Sequence, residues 1–415
     1  MSKNYTSKDI KTLDGIEAIR TRPGMYIGTI DQDGIHHLIL EVISNSIDEY
    51  LNQYGTKVVI ETNGDLITVQ DDGRGIPFGK TDKNTEALKD IVTSLHSGGK
   101  FGQGGYSVSG GLHGIGLTAV NALSKDFIII SSRENKIATL RARKGNIIEY
   151  KVEDDKNQKE TGTVIMFKPD PEIFGKTDIN QNKIKNMVKE LSYLTSGLEF
   201  QLNSEKFLSV DGLKDMIKER VSNPITDVVY ASEEKEGFKV EVAFQYVDGG
   251  SERIYAFTNN IPNPGGGTHV TGFKTAFTNS LNKLAKEYGL LEKTDSNLSG
   301  DLLRRGMVAA VSVKMAEAPV FKSQTKEKLM TPGARAVVSQ LVGEAFDKKI
   351  TKRDIKVIVE RAIAEQKALD AAKRAREAAN KVSSGGKNMN SIKDLPSKLV
   401  DCKDRNGELW IVEGK

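Results

Sequence analysis

Apolar and polar positions along the first third of the chain switch between a helical and a stranded period. Residues 34–53, GIHHLILEVISNSIDEYLNQ, repeat apolar side chains at helical spacing and predict an amphipathic helix. KVVIET (57–62) and LITVQ (66–70) read as strands, with Asn63–Gly64 between them as a hairpin signal. A glycine-rich run at 97–116, SGGKFGQGGYSVSGGLHGIG, opens directly into the helix-like LTAVNAL. Strand patterns return at DFIIISS (126–132), ATLRAR (138–143) and TVIMF (163–167), and a helical pattern over 180–197 ends this first unit. From about residue 220 the alternation restarts. VEVAFQYV (240–247) and RIYAFTNNI (253–261) predict strands, GFKTAFTNSLNKLAKEYG (272–289) a helix, and MVAAVSVKM (307–315) a strand before the polar loop FKSQTKEKL (321–329). A long helix rich in Ala, Glu, Lys and Arg is predicted from about Asp354 to Lys381. VSSGGKNMNS (382–391) reads as a linker, and GELWIVEGK (407–415) as the first strand of a third unit that is cut off.

Composition narrows this picture only a little. A length of 415 residues suits two or three domains rather than one core. A single cysteine, Cys402, excludes an internal disulfide framework. The opening MSKNYTSKDIKTLDG lacks the apolar core of a secretory signal, and no run is long and apolar enough to span a membrane, so a cytoplasmic protein is expected. The net charge of +4 permits contact with nucleic acid without arguing for it.

Four clusters carry candidate chemistry. On the first helix His37, Glu41, Asn45 and Asp48 fall at spacings that put them on one face. That set suits a general base (Glu41), a neighbour that orients it (His37) and a neutral oxygen ligand for Mg²⁺ (Asn45), although taken alone a solvated helix face is the commoner reading of such a pattern. QDDGRGIP (70–77) follows a strand directly. Its Asp71 could accept a hydrogen bond from an exocyclic amine such as adenine's, with Gly73 and Gly75 letting the backbone approach a flat ring; a plain Asp–Gly turn is the alternative. SGGLHGIG (109–116) before a helix can present backbone N–H groups to phosphate. It lacks both the Gly-Lys-Ser/Thr ending of a Walker A loop and the Rossmann spacing. Far downstream, Gln324 and Lys326 stand in a polar loop from which the lysine could reach a γ-phosphate as a point charge, a solvated lysine-rich loop being the alternative that the residues alone favour.

The order of these clusters resembles the ATPase region of bacterial type IIA DNA topoisomerases, the B subunit of gyrase or the E subunit of topoisomerase IV. The resemblance runs over essentially the whole chain, through RTRPGMYIG (20–28), HHLILEVISNSIDE (36–49), QDDGRGIP, LHSGGKF (95–101), VSGGLHGIG, ETGT (160–163), FTNNI (257–261), GGTH (266–269) and SQTK (323–326). It implies an α/β fold: a Bergerat-type ATPase α/β sandwich over 1–219, then a ribosomal-S5-like transducer domain with a long C-terminal helix over 220–392. Residues 393–415 would start a truncated Toprim domain. By position, Glu41 matches the residue that activates water, His37 the one that orients it, and Asn45 the Mg²⁺ ligand. Asp71 matches the adenine-binding carboxylate, with Thr163 beside it. Arg74, Ile76 and Pro77 would line the base pocket, with Arg74 paired to Glu49. Lys100, Tyr106 and the stretch Gly111, Leu112, His113, Gly114, Ile115, Gly116 and Leu117 match the lid over the phosphates. Gln324 and Lys326 match the loop contacting the γ-phosphate, and Tyr5 the arm that reaches into the site of the dimer mate.

The resemblance further implies ATP and Mg²⁺ as cofactors and a homodimer formed on ATP binding. It implies an A-type topoisomerase subunit and double-stranded DNA as partners, and Arg133 as a grip for aminocoumarin inhibitors. Glu413 would be a Mg²⁺ ligand of an intact Toprim domain, the DNA-cleaving parts lying beyond this sequence. The expected function is ATP hydrolysis that drives DNA strand passage and supercoil control. A topoisomerase IV-type decatenase and a non-hydrolysing nucleotide-gated clamp remain the alternatives. Departures from the family pattern are a short, lysine-rich FGKTDKNTEA after GIP, Leu302 and Arg305 where acidic residues are usual, and a longer MAEAPVF before the QTK triplet.

Overall fold

The computed structural model describes residues 13, 15–95, 97, 114–156, 160–323 and 325–384. Its first part runs α1 (Gly15–Thr21), α2 (Gly24–Ile27), α3 (Gln32–Leu51), β1 (Lys57–Asn63), β2 (Leu66–Asp71), α4 (Ala87–Thr93), α5 (Gly116–Ala122), β3 (Ser124–Arg133), β4 (Lys136–Arg143), β5 (Asn146–Asp154), β6 (Gly162–Pro169), α6 (Pro171–Phe174), α7 (Gln181–Leu194), β7 (Glu199–Leu202) and β8 (Glu205–Phe207). The start of α3 is fixed by Asp31, whose carboxylate accepts the backbone N–H of Asp33 at 2.9 Å and of Gly34 at 3.4 Å. The eight strands form one sheet in the order β5-β4-β3-β6-β2-β1-β7-β8, antiparallel except for the parallel pair β1–β7. Alternate strand residues are buried: Val58 and Ile60, Ile67 and Val69, Phe127 and Ile129, Ile165 and Phe167. They pack against Leu38, Ile39, Val42 and Ile43 of α3 in a single core. The period-2 strands and the apolar stripe of α3 therefore make a two-layer sandwich.

A second sheet follows. Its elements are α8 (Leu213–Arg220), β9 (Val229–Lys235), β10 (Phe238–Tyr246), β11 (Arg253–Thr258), β12 (Ile261–Pro262), α9 (Thr268–Glu287), α10 (Gly300–Arg304), β13 (Met307–Met315), α11 (Ala334–Lys349) and α12 (Lys352–Ser384). The strand order is β12-β11-β13-β10-β9, and β11 and β13 run parallel because α9 carries the chain across between them. Met216 and Ile217 of α8 pack with Ala243, Val308 and Ala310 on one face of this sheet. On the other face Phe244 meets Phe277 of α9 at 5.3 Å and Phe346 of α11 at 6.0 Å between ring centroids. Covered on both faces, β13 is buried along almost its whole length, which explains its unbroken apolar run.

Three local differences from the sequence reading have physical causes. RIYAFTNNI is not one strand: Asn259 and Asn260 take φ of 47° and 64°, a left-handed pair that turns β11 into β12. The first hairpin turns on Gly64 and Asp65, with Asn63 still paired to Leu66 as the last strand residue. A helix that the sequence reading passed over, α11, covers the second sheet with Val338, Leu341, Val342 and Phe346 buried. The long helix is present as α12. Residues up to Ala362 make one compact unit and those from Ile363 another, where α12 continues with Gln366 donating to Asp370 at 3.1 Å.

Candidate functional site

A cavity of about 600 Å³ opens above α3. Its floor is His37, Glu41, Asn45, Ser46 and Glu49 of α3; one wall is Asp71, Gly75, Ile76 and Pro77; another is Gly114 to Leu117; and Lys326 closes it from the far loop. The helix contributes Ser46 and Glu49 rather than Asp48, which is buried and does not line the space.

One end is built around Asp71, the last residue of β2. Its Oδ2 accepts from Ser46 Oγ at 2.8 Å, and its Oδ1 from the backbone N–H of Gly73 at 3.0 Å and of Thr163 at 3.2 Å. Burial raises its pKa, the Glu49 charge adding to the rise, while those three hydrogen bonds oppose it. Gly75 turns at φ 76°, and a Cβ there would stand 2.6 Å from the Ser132 carbonyl, so only glycine fits. Arg74 grips Glu49 through both Nε and Nη2 at 2.9 Å, and its guanidinium lies 4.0 Å from the Tyr54 ring centroid. Gly73 and Arg74 thus stand behind the wall, acting through Asp71 and Glu49, while Gly75, Ile76, Pro77 and Thr163 face the cavity. Ile165 and Val69 extend an apolar side next to a polar acceptor, a surface matched to a flat heteroaromatic ring.

The other end is charged. Lys326 Nζ donates to Glu41 Oε1 at 3.2 Å, and His37 Nε2 lies 3.5 Å from the same oxygen. All three side chains are largely buried, with 7%, 16% and 17% of Lys326, Glu41 and His37 exposed. Burial lowers the His37 pKa and Lys326 adds to the effect, although Glu41 works against it. Burial thus favours the neutral imidazole beside the carboxylate over a second cation. Asn45 Nδ2 donates to the Glu41 carbonyl at 3.0 Å, which turns the amide so that its oxygen is the atom suited to a hard cation. Gly116 stands so close that a Cβ would sit 2.5 Å from Glu41 Oε2.

Tyr5, Lys100, Tyr106, Gly111, Leu112, His113, Gln324 and Glu413 lie outside the described residues. Sequence reasoning assigned no role to two asparagines, one at the end of β13 and one at the Lys326 loop. Asn259 brackets the end of β13, its Nδ2 donating to the Met315 carbonyl at 3.1 Å and its Oδ1 accepting the Met315 N–H at 2.8 Å. Asn263 donates to the Lys326 carbonyl at 2.7 Å. Asn259 falls within the FTNNI motif and Asn263 just after it, but nothing local links either to a partner more than fifty residues away.

The chain is similar to known proteins. Residues 30–172 match the family described as Histidine kinase-, DNA gyrase B-, and HSP90-like ATPase, and residues 212–378 the family described as DNA gyrase B. The chain is 38% identical to the B subunit of DNA gyrase from Clostridium acetobutylicum over 427 residues, taking in 99% of this chain and 66% of that protein. It is 38% identical to the B subunit of DNA topoisomerase 4 from Bacillus subtilis, covering 99% and 65% of the two chains. The chain thus spans just under two thirds of the length of these curated relatives, 66% and 65%. The crystal structure of the 43K ATPase domain of Thermus thermophilus gyrase B in complex with an aminocoumarin matches with a TM-score of 0.74 at 33% identity, over 88% of this chain and 98% of that one. The topoisomerase IV ATP-binding domain of Francisella tularensis, in complex with a small-molecule inhibitor, matches with a TM-score of 0.69 at 25% identity, over 86% and 99%.

Proposed function

The chain belongs to the DNA gyrase B family of type II topoisomerase ATPase subunits, and on that premise we propose that its cavity binds ATP with Mg²⁺ and hydrolyses it. The observation that carries this reading is the meeting of Glu41 and Lys326, from two different sheets' surroundings, at 3.2 Å in the cavity that also holds Asp71. Adenine would lie against Ile76 and Pro77, its exocyclic amine donating to Asp71. The triphosphate would then run toward Glu41.

A terminal phosphate reaching Lys326 replaces the Glu41 carboxylate as the counterion of that ammonium. Glu41 is then released to take a proton from the attacking water, and neutral His37 holds it in place. Phosphoryl transfer needs little beyond positioning and charge neutralisation, which Lys326 and the backbone of residues 114–117 would supply. For Mg²⁺, the amide oxygen of Asn45 is the ligand that fits. Among the described residues no cluster of three or more His, Cys, Asp or Glu side chains could hold an ion, so the phosphate oxygens would complete the shell. Bound there, the ion would neutralise phosphate charge.

The activity of the longer protein is proposed on the same premise. ATP would bring two copies together, with the Tyr5 arm entering the neighbour's site, and hydrolysis would let them part. A topoisomerase A-type subunit and double-stranded DNA would be the partners, in the cytoplasm, with strand passage as the outcome. Gyrase and topoisomerase IV proteins are matched at the same 38% identity, so the proposal covers both. Light scattering with a non-hydrolysable ATP analogue tests the dimer, which fails if the mass stays monomeric.

Steady-state hydrolysis with Mg²⁺ tests the site. The parent should turn over, and Glu41→Ala and Lys326→Ala should stall while still binding nucleotide. A parent that binds ATP and never releases ADP would make the protein a nucleotide-gated clamp instead.

A further inference from the structure

We infer that Asn263 is a positioning residue for Lys326, its side-chain amide fixing the backbone from which the ammonium is presented to the terminal phosphate. The inference rests on the proposed role of Lys326.

Lys326 has a φ of 57°, a left-handed conformation that a residue with a side chain rarely adopts without being held. The direction of its Cα–Cβ bond, and hence the reach of Nζ to Glu41, depends on that conformation. Asn263 Nδ2 donates to the Lys326 carbonyl at 2.7 Å. The amide cannot be turned round, because a carbonyl only accepts and so must face the nitrogen. Its Oδ1 in turn accepts from Thr258 Oγ1 at 2.6 Å, and its backbone N–H donates to the Ala256 carbonyl at 2.7 Å. Asn263 and Thr258 are fully buried, at 1% and 0% exposure. Thr258 and Ala256 belong to β11, a strand paired on both sides. A rigid sheet is thereby tied through one amide to the residue that faces the nucleotide.

The loop is also held backbone to backbone, and within it the hydroxyls of Ser323 and Thr325 share a hydrogen bond at 2.7 Å. Lys326 N donates to Ser323 O at 3.0 Å, Gly265 N to Glu327 O at 3.0 Å, and Leu329 N to Gly266 O at 3.1 Å. A substitution at 263 therefore removes the side-chain tie to Lys326 and leaves that lattice standing. The Lys326 ammonium should then lose its fixed position, and misplacement of a catalytic group by about 1 Å is enough to cost on the order of 100-fold in rate. Because the lysine meets only the terminal phosphate, the loss should fall on the triphosphate and spare the diphosphate.

The test compares the full chain with Asn263→Ala, Asn263→Asp (the same shape without the donor) and Lys326→Ala. Affinities for ADP and for a non-hydrolysable ATP analogue are measured by calorimetry, alongside kcat and thermal unfolding. In both Asn263 variants kcat should fall at least about tenfold and the ratio of triphosphate to diphosphate affinity should move toward that of Lys326→Ala, with ADP affinity kept. A lower melting temperature with the parent's ratio and kcat overturns the inference, since Asn263 would then serve stability alone. If Lys326→Ala itself keeps the parent's ratio, the reading of Lys326 fails and this inference falls with it. Should Asn263→Ala not bind ADP, Thr258→Val removes the hydroxyl that orients the amide. A lowered ratio there supports the inference, and an unchanged one overturns it.

Discussion

His269, the second residue of α9, is completely buried, and neither ring nitrogen has a hydrogen-bond partner among the described residues. Desolvation lowers its pKa from 6.5 to about 4. The sign of the consequence follows from linkage. Between those two values the unfolded chain binds a proton that the folded chain refuses, so stability is present above pH 6.5 and is lost as the pH falls toward 4. At about 1.36 kcal/mol per pKa unit, this one ring should cost about 2 kcal/mol between pH 7.5 and pH 5, before most carboxylates titrate. Urea unfolding of the parent and of His269→Gln at both pH values isolates the effect, because His36, His37 and the carboxylates titrate in both proteins. The parent should lose about 2 kcal/mol more than the variant over that interval. Equal losses would refute the reasoning and mean that the ring is hydrated or can be protonated in place.

Three further substitutions probe the site and the second core. Gly116→Ala would put a methyl group 2.5 Å from Glu41 Oε2. Hydrolysis should fall by on the order of 100-fold, as for a displaced general base, with the melting temperature nearly kept; parent-like turnover would show that Glu41 is not the base. Phe277→Ala removes a fully buried ring in contact with Phe244, Phe273 and Phe346. It should lower unfolding free energy by about 3–5 kcal/mol in urea, and a loss under about 1 kcal/mol would mean that the neighbours close the space. Arg133 donates to the Gly75 carbonyl at 3.4 Å, beside the proposed base pocket. Arg133→Ala should abolish aminocoumarin inhibition of hydrolysis, and unchanged inhibition would remove that assignment.

Periodicity and order along the chain determined a good part of this protein. The run 307–315 coincides with β13 because a strand buried on both faces needs an apolar side chain at nearly every position. The stripe on α3 and the strands either side of the first hairpin were legible for the same reason, since burial on one side imposes a period that composition alone lacks. The motif sequence from Glu41 through Asp71 to Lys326 also carried the family. What the sequence left open is whatever depends on distance in space rather than along the chain. Which helix positions face the cavity was decided by how α3 crosses the sheet, so Ser46 and Glu49 line it and Asp48 does not. The turn at Asn259 and Asn260 was hidden because side-chain pattern does not report the sign of φ. The ion pair of Glu41 with Lys326, and the amide of Asn263 behind it, join residues far apart in sequence that no local preference connects. Only the packing of the two sheets' surroundings around one cavity brings those charges within reach of each other, and their shared burial gives the contact its strength.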